Sequence, residues 1–264
     1  MELLSPHLLL YIATGSVVGL AVGLTGVGGG SLMTPLLLLF GFPPQTAIGT
    51  DLLYAAITKS SGMAMHARRS NVDWTIVGRM AAGSLPAAGL TALLLGTLFS
   101  GALQYRALLT TSLGVMLILT AAVLLLRTRL QRLALDGRSR LAALQKHTAL
   151  WTLITGAALG CLVTLSSVGA GAIGTALLLI LYPQLKSIRV VGTDLAHAVP
   201  LTLAAGLGHL ALGHVNYPLL AALLIGSLPA IYIGTQLGNR LPDRLLQPIL
   251  VTVLLGLGVK YALL

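Results

Sequence analysis

Leu24-Thr-Gly-Val-Gly-Gly-Gly-Ser-Leu32 decides how the chain folds, because it returns in the second half as Leu165-Ser-Ser-Val-Gly-Ala-Gly-Ala-Ile173. Further matches follow in one register: Gly49-Thr50-Asp51-Leu52 with Gly192-Thr193-Asp194-Leu195, His66 with His209, and Gly83-Ser-Leu-Pro-Ala87 with Gly226-Ser-Leu-Pro-Ala230. Apolar helices share leucines by chance, but not a common placing of Asp, His and Pro. The chain is a duplication of a unit of about 120 residues.

The rest of the sequence is written for lipid. Only 8% of the 264 residues are charged, 56% are hydrophobic, and the mean hydropathy is +0.94; a soluble domain carries about 25% charged residues. Runs free of Asp, Glu, Lys and Arg cover residues 3 to 50, 107 to 126, 147 to 185 and 195 to 239. A span needs about 20 apolar residues, so the longer runs hold several. The net charge of +10 belongs to no soluble basic module, which excludes nucleic acid as a partner. With one cysteine, Cys161, there is no intrachain disulfide, and no metal-ligand box is present. Residues 7 to 27, lacking a basic n-region, are expected to be a retained span.

Apolar runs, turn residues and charges divide the chain into segments at 7 to 27, 30 to 42, 48 to 67, 74 to 98 and 105 to 126. After a basic stretch, Arg127 to Lys146, come 148 to 168, 171 to 182, 191 to 209, 217 to 237 and 245 to 263. The second segment of each copy is too short to cross at ~1.5 Å per residue and reads as a half-helix or re-entrant arm. The fold class is an all-α membrane protein of two repeats, each of about four spanning helices plus a short arm. Residues 1–126 form the first repeat, 127–147 a basic cytoplasmic linker (or a short surface helix on anionic lipid), and 148–264 the second repeat.

Cytoplasmic loops concentrate Lys and Arg, and matching loops carry opposite bias. Arg68 and Arg69 have no counterpart in 210 to 216, while Lys186, Arg189, Arg240 and Arg244 have none in the first-copy loops. Five segments per copy is an odd number, so the second copy is inverted, an architecture of secondary transporters. On that path Arg106 and Lys260 are the basic residues near the outer face.

Single glycines are open to the reading of close helix packing. The clusters differ, because each stands where a short helix begins. A helix start offers unpaired N–H groups and a partial positive charge, which makes an anion site. Thr25, Gly26, Gly28, Gly29, Gly30 and Ser31, with Ser166, Ser167, Gly169 and Gly171, thus become candidate ligands of a small oxyanion or carboxylate near the bilayer midplane.

Gly26-Val-Gly-Gly-Gly-Ser-Leu-Met-Thr-Pro35 followed by Ala47-Ile-Gly-Thr-Asp51, repeated more weakly in the second half, resembles the TauE/SafE family of sulfite exporters over nearly the whole chain. The resemblance implies transport of anions, often sulfur-containing or organic acids such as sulfite and sulfoacetate, across the bacterial inner membrane; on the path set by the loop charges the linker is then cytoplasmic and both termini periplasmic. The second copy departs from the pattern at Ser167, Ala170, Ala172 and Ala176, so the two tips are not expected to bind alike.

An ionisable residue inside a span costs ~2.5–3.5 kcal/mol on insertion scales and marks function by default. Asp51 and Asp194 begin the third segment of each copy beside Thr50 and Thr193. Either the threonines cap and the acids complement the helix dipole, or the carboxylates hold a coupling proton or sodium and the hydroxyls meet substrate. His197, on the same helical face as Asp194, suits a proton carrier or a satisfied structural histidine; Tyr54 is its first-copy equivalent. Lys59, whose equivalent is Thr202, neutralises the anion, pairs with Asp51, or snorkels. His66 and His209 are expected at the membrane interface, and Pro86 and Pro229 should kink their spans.

The favoured function is a secondary anion transporter in which the two copies rock about a central site. Its partners are the anion, the coupling ion and the lipid bilayer, with a homodimer left open. The alternative is an anion channel or a non-transporting membrane subunit. An enzyme is not expected: Cys161 has no charged neighbour within its span, and Gly26 to Ser31 lacks the Lys-Ser/Thr ending of an ATP-binding loop. No cofactor or metal is called for.

Overall fold

Two prolines set the start of the helix that carries Asp51, and most of the architecture follows from where that helix lies. The computed structural model describes residues 6–25, 30–98, 102–135, 147–238 and 243–263. Among them are ten α-helices and no strand: α1 (Pro6–Thr25), α2 (Gly30–Leu39), α3 (Pro44–Arg68), α4 (Trp74–Leu98), α5 (Ala102–Leu135), α6 (Thr148–Ser166), α7 (Ala172–Leu181), α8 (Ser187–Ala211), α9 (Tyr217–Gly238) and α10 (Asp243–Ala262). The order long, short, long, long, long occurs twice. The short helices α2 and α7 have 10 residues each, about 15 Å.

Two boundaries differ in a way that matters. Pro44 sits at the first helical position after an extended Pro43, a favourable start because Pro lacks an N–H to leave bare. Thr50 and Asp51 therefore lie well inside α3, and Thr193 and Asp194 equally far inside α8. The N-cap reading of these four residues is excluded. The helix α5 also continues to Leu135, so the expected linker begins as helix through Arg127, Arg129 and Arg132; residues 136–146 lie outside the described residues.

Helices α3 and α8 form the centre and run antiparallel. Leu53 packs on Gly206, and Gly62 packs on Leu195. Halfway between these contacts fall Ile57 and Thr58, so Lys59 stands beside the crossing point. The equivalent helices α5 and α10 are antiparallel too, with Gly114 against Ala262 and Gly258 against Ile118.

The outer helices are exchanged between copies. Gly15 and Gly19 of α1 lie against Leu223 and Ser227 of α9, while Gly156 and Gly160 of α6 lie against Met80 and Ser84 of α4. Both are parallel pairings with glycines four apart, which let backbones approach to contact distance. Gly83 faces the Leu153 carbonyl, and its mirror Gly226 faces the Ile12 carbonyl. Helix α4 thus docks on α6 and α8 of the second copy, and α9 on α1 and α3 of the first. The packing between copies is more extensive than the packing within either, so the expected rocking of copy against copy has no pair of self-contained halves to work with.

Among the described residues five helices are long and apolar enough to cross a membrane, Trp74–Thr97, Gln104–Arg127, Thr148–Ser166, Ser187–Ala211 and Tyr217–Gly234. Leu93, Ile225 and Tyr232 are exposed on their outer faces, as a lipid-facing surface requires. Hydroxyls within the helices return to the carbonyl one turn back, as in Thr14 to Leu10, Thr164 to Gly160 and Thr202 to Ala198, so polarity is satisfied locally.

Gly83→Val and Gly226→Val are each expected to destabilise the protein by about 1–3 kcal/mol, since the added side chain meets backbone that cannot retreat. Gly89→Val, where an added Cβ meets nothing within 4 Å, should melt close to wild type in detergent. Equal melting of all three would remove the glycine contacts as the source of the packing.

Candidate functional site

Buried charge collects around the crossing of α3 and α8. Asp51 is fully buried. Thr34 of α2 donates to Asp51 Oδ2 at 2.5 Å, while Oδ1 has no hydrogen-bond partner. Ser167, in the turn between α6 and α7, lies beside the same carboxylate. Lys59 is buried and its Nζ donates to the Ala170 carbonyl in that turn at 2.7 Å. It is within electrostatic reach of both Asp194 and Asp51, yet no carboxylate stands within 4 Å of it: Arg189–Asp73, at 3.3 Å, is the ion pair found among the described residues. Snorkelling of Lys59 is excluded, and its direct pairing with Asp51 is not made.

Asp194 is buried against Gly174 of α7, and its Oδ1 also lacks a partner. His197 lies one turn on, fully buried, with Nε2 2.8 Å from Ser84 Oγ of α4 and Nδ1 without a partner. The repeat mirrors this pair in Tyr54 of α3 and Ser227 of α9, whose hydroxyls are neighbours with no hydrogen-bond partner for either.

The second-copy turn is built from strained backbone. Ser167 is left-handed at φ 60, and Gly169 and Gly171 take φ 114 and φ 139, conformations that glycine alone reaches cheaply. Gly171 then caps α7 without a side-chain bond. The turn is not stranded in solvent: Ser167, Val168 and Ala170 are buried. The Ser166 hydroxyl is committed locally, to the Leu162 carbonyl at 2.6 Å and to Val168, whereas Ser167 Oγ is buried without a partner. Of the first-copy tip, Gly26, Gly28 and Gly29 lie outside the described residues; Thr25 ends α1, and Gly30 and Ser31 open α2.

Thr50 and Thr193 are placed differently from the rest. Thr50 Oγ1 accepts from the Asn216 N–H at 3.1 Å and Thr193 Oγ1 from the Asp73 N–H at 2.9 Å. Asn216 and Asp73 in turn cap α9 and α4 through Leu219 and Ile76. The two threonines thereby anchor helix starts across the copies. His209 was expected at the interface but is fully buried, donating or accepting at the Thr164 carbonyl, 2.9 Å away. Helix α8 runs on to Ala211 and the following loop covers it. There His214 meets Tyr105 at 3.3 Å, and burial lowers its hold on a proton.

Sequence reasoning passed over Thr34, Ser84 and Ser227, and named Tyr54 only as the counterpart of His197. The serines are legible as the second residue of the repeated Gly-Ser-Leu-Pro, beside the proline expected to kink the span. No cluster of three metal-ligating side chains occurs among the described residues. A separate cleft of ≈ 540 Å³ lies among Leu38, Pro44, Arg106 and Tyr261.

Membrane-length helices wrapped round a polar centre define a multi-pass membrane protein of the transporter kind. The family model described as sulfite exporter TauE/SafE matches residues 11–261, and the chain belongs to that family. It is 39% identical over 250 residues to the probable membrane transporter protein YjnA of Bacillus subtilis (strain 168), covering 94% of this chain and 97% of the relative. It is 33% identical to the probable membrane transporter protein YdhB of the same organism, covering 90% and 94%. A probable membrane transporter protein of Xylella fastidiosa (strain Temecula1 / ATCC 700964) is 28% identical, covering 89% and 86%. No solved structure matches the chain.

Because Asp194 Oδ1 fills the space that a Gly174 side chain would need, Gly174→Ala should cost about 1–3 kcal/mol. Adding Asp194→Ala should recover part of that loss, a non-additivity read from a double-mutant cycle of melting temperatures. Additive losses would place Asp194 away from α7.

Proposed function

We propose that the protein is a secondary active transporter of small anions, of the sulfite, organosulfur or organic acid kind, working by alternating access. The observation that carries this reading is Lys59, a buried ammonium beside the α3–α8 crossing that bonds to a carbonyl and has no carboxylate within 4 Å among the described residues. With one N–H on that carbonyl and none on a carboxylate, the ammonium keeps donors for an anion once the neighbouring acids are neutralised. The family description supports sulfite as a member of the substrate class.

In this reading the turn from Ser166 to Gly171 bounds the site, the glycine-rich sequence Thr25 to Ser31 supplies its counterpart in the first copy, and the copies are inverted, with the equivalent helices α3 and α8 crossing antiparallel. Thr50 and Thr193 support it from behind. Asp51, Asp194 and His197 carry the coupling proton or sodium. The moving bodies are the glycine-locked pairs α1 with α9 and α4 with α6, not the sequence halves. The protein sits in the bacterial inner membrane, the linker at 127–147 in the cytoplasm and both termini in the periplasm.

Reconstituted in proteoliposomes, the wild type is expected to accumulate sulfite or sulfoacetate under an imposed proton or sodium gradient and to stop when the gradient is collapsed. Lys59→Met should lower that uptake by at least about tenfold, the effect of losing one charged hydrogen-bond partner. Conductance that ignores the gradient would make the protein a channel. No flux under any gradient would make it a non-transporting subunit.

A further inference from the structure

The two mirrored positions beside the aspartates are not in the same state. His197 and Ser84 are joined at 2.8 Å, whereas Tyr54 and Ser227 lie side by side, fully buried, with neither hydroxyl hydrogen-bonded. A third buried hydroxyl without a partner, Ser167, stands beside Asp51, and Tyr54 is within electrostatic reach of the same carboxylate. Ser167 and Tyr54 thus stand near one acid from the turn between α6 and α7 and from α3, and Ser227 of α9 extends the row through its contact with Tyr54. Buried donors left unmatched are costly, and a row of three leading to one acid indicates a polar ligand. We propose that Tyr54, Ser227 and Ser167 donate hydrogen bonds to the transported anion, and that Asp51 holds a proton while the anion is bound.

The proposal rests on the anion reading above and names both its ligands and its coupling. Donors that come from three separate elements suit a polyatomic anion with several acceptor oxygens. The proton follows from charge. Thr34 faces Asp51 from α2, Ser167 from the second-copy turn, and Tyr54 and Lys59 come from α3 itself. Helix α8 brings Asp194 and His197 within reach of Lys59, α9 brings Ser227, and α5 brings Tyr105, which turns to His214. Lys59 is the cation of this group. With both acids ionised the centre carries one net negative charge and repels an anion. One proton from water, taken by an Asp51 carboxylate oxygen to form the neutral acid, removes that charge. Anion affinity therefore rises as pH falls and is lost as pH rises. One proton is bound per anion.

Calorimetric titration of the purified full-length protein with sulfite, sulfate and sulfoacetate, at about pH 5.5 and about pH 8, tests this through linkage. Allowing for each ligand's own ionisation, wild-type affinity should be higher at the lower pH. Tyr54→Phe and Ser227→Ala should each weaken binding by about 10- to 100-fold. Asp51→Asn, isosteric with the protonated acid, should bind equally at both pH values. Ser227→Ala is the smaller change and carries the test where Tyr54→Phe lowers the melting temperature. Variants that melt and bind like wild type, or a wild type indifferent to pH, overturn the proposal while leaving the anion reading standing. A wild type that binds none of the three anions overturns both.

Discussion

Backbone meets backbone where α1 crosses α9 and where α6 crosses α4, and the molecule depends on those two contacts. Gly15, Gly19, Gly226 and Gly234 at the first, and Gly83, Gly156 and Gly160 at the second, leave no room for a Cβ. Lipid is as apolar as leucine, so helices in it gain little from burying apolar surface and associate through close packing instead. The consequence is an exchange: each copy gives its fourth helix to the other. That exchange brings Ser84 to His197 and Ser227 to Tyr54, since α4 and α9 carry the serines across the boundary.

The scaffold is two-fold, but its contents are not. Lys59 stands where the second copy has Thr202, and His197 where the first has Tyr54. Thr34 bonds Asp51, while its equivalent Thr175 turns back to the Gly171 carbonyl of its own turn. A duplicated unit supplies mirrored positions cheaply, and divergence has given one side a cation and free hydroxyls and the other an imidazole already engaged. In the proposed transport cycle, alternation between two similar states uses the symmetry and recognition of one anion uses the difference.

Much of this was legible in the letters. The repeat register, the short helices and the span at 74 to 98 follow from apolar run length and from Gly and Pro placement, which are local. The depth of Asp51 was not, because Pro43-Pro44 reads equally well as a loop or as a helix start, and only packing against α8 decides between them. Lys59 looked free to snorkel because a sequence does not show that an α6–α7 turn lies over its ammonium. Thr50 and Thr193 looked like caps of their own helices; they serve the caps of helices from the other copy, a relation that exists only once the copies interlock. The partner exchange of α4 and α9 has a trace in the glycines spaced four apart at 15 and 19 and at 156 and 160, but that spacing does not name the partner.

Crystals of the protein soaked in selenate or selenite, with the selenium located by its anomalous scattering, would show where the anion sits. A selenium peak in the space bounded by Asp51, Tyr54 and Lys59 is the predicted result. A peak confined to the cleft beside Arg106, with the centre between α3 and α8 empty at saturating anion, would contradict it.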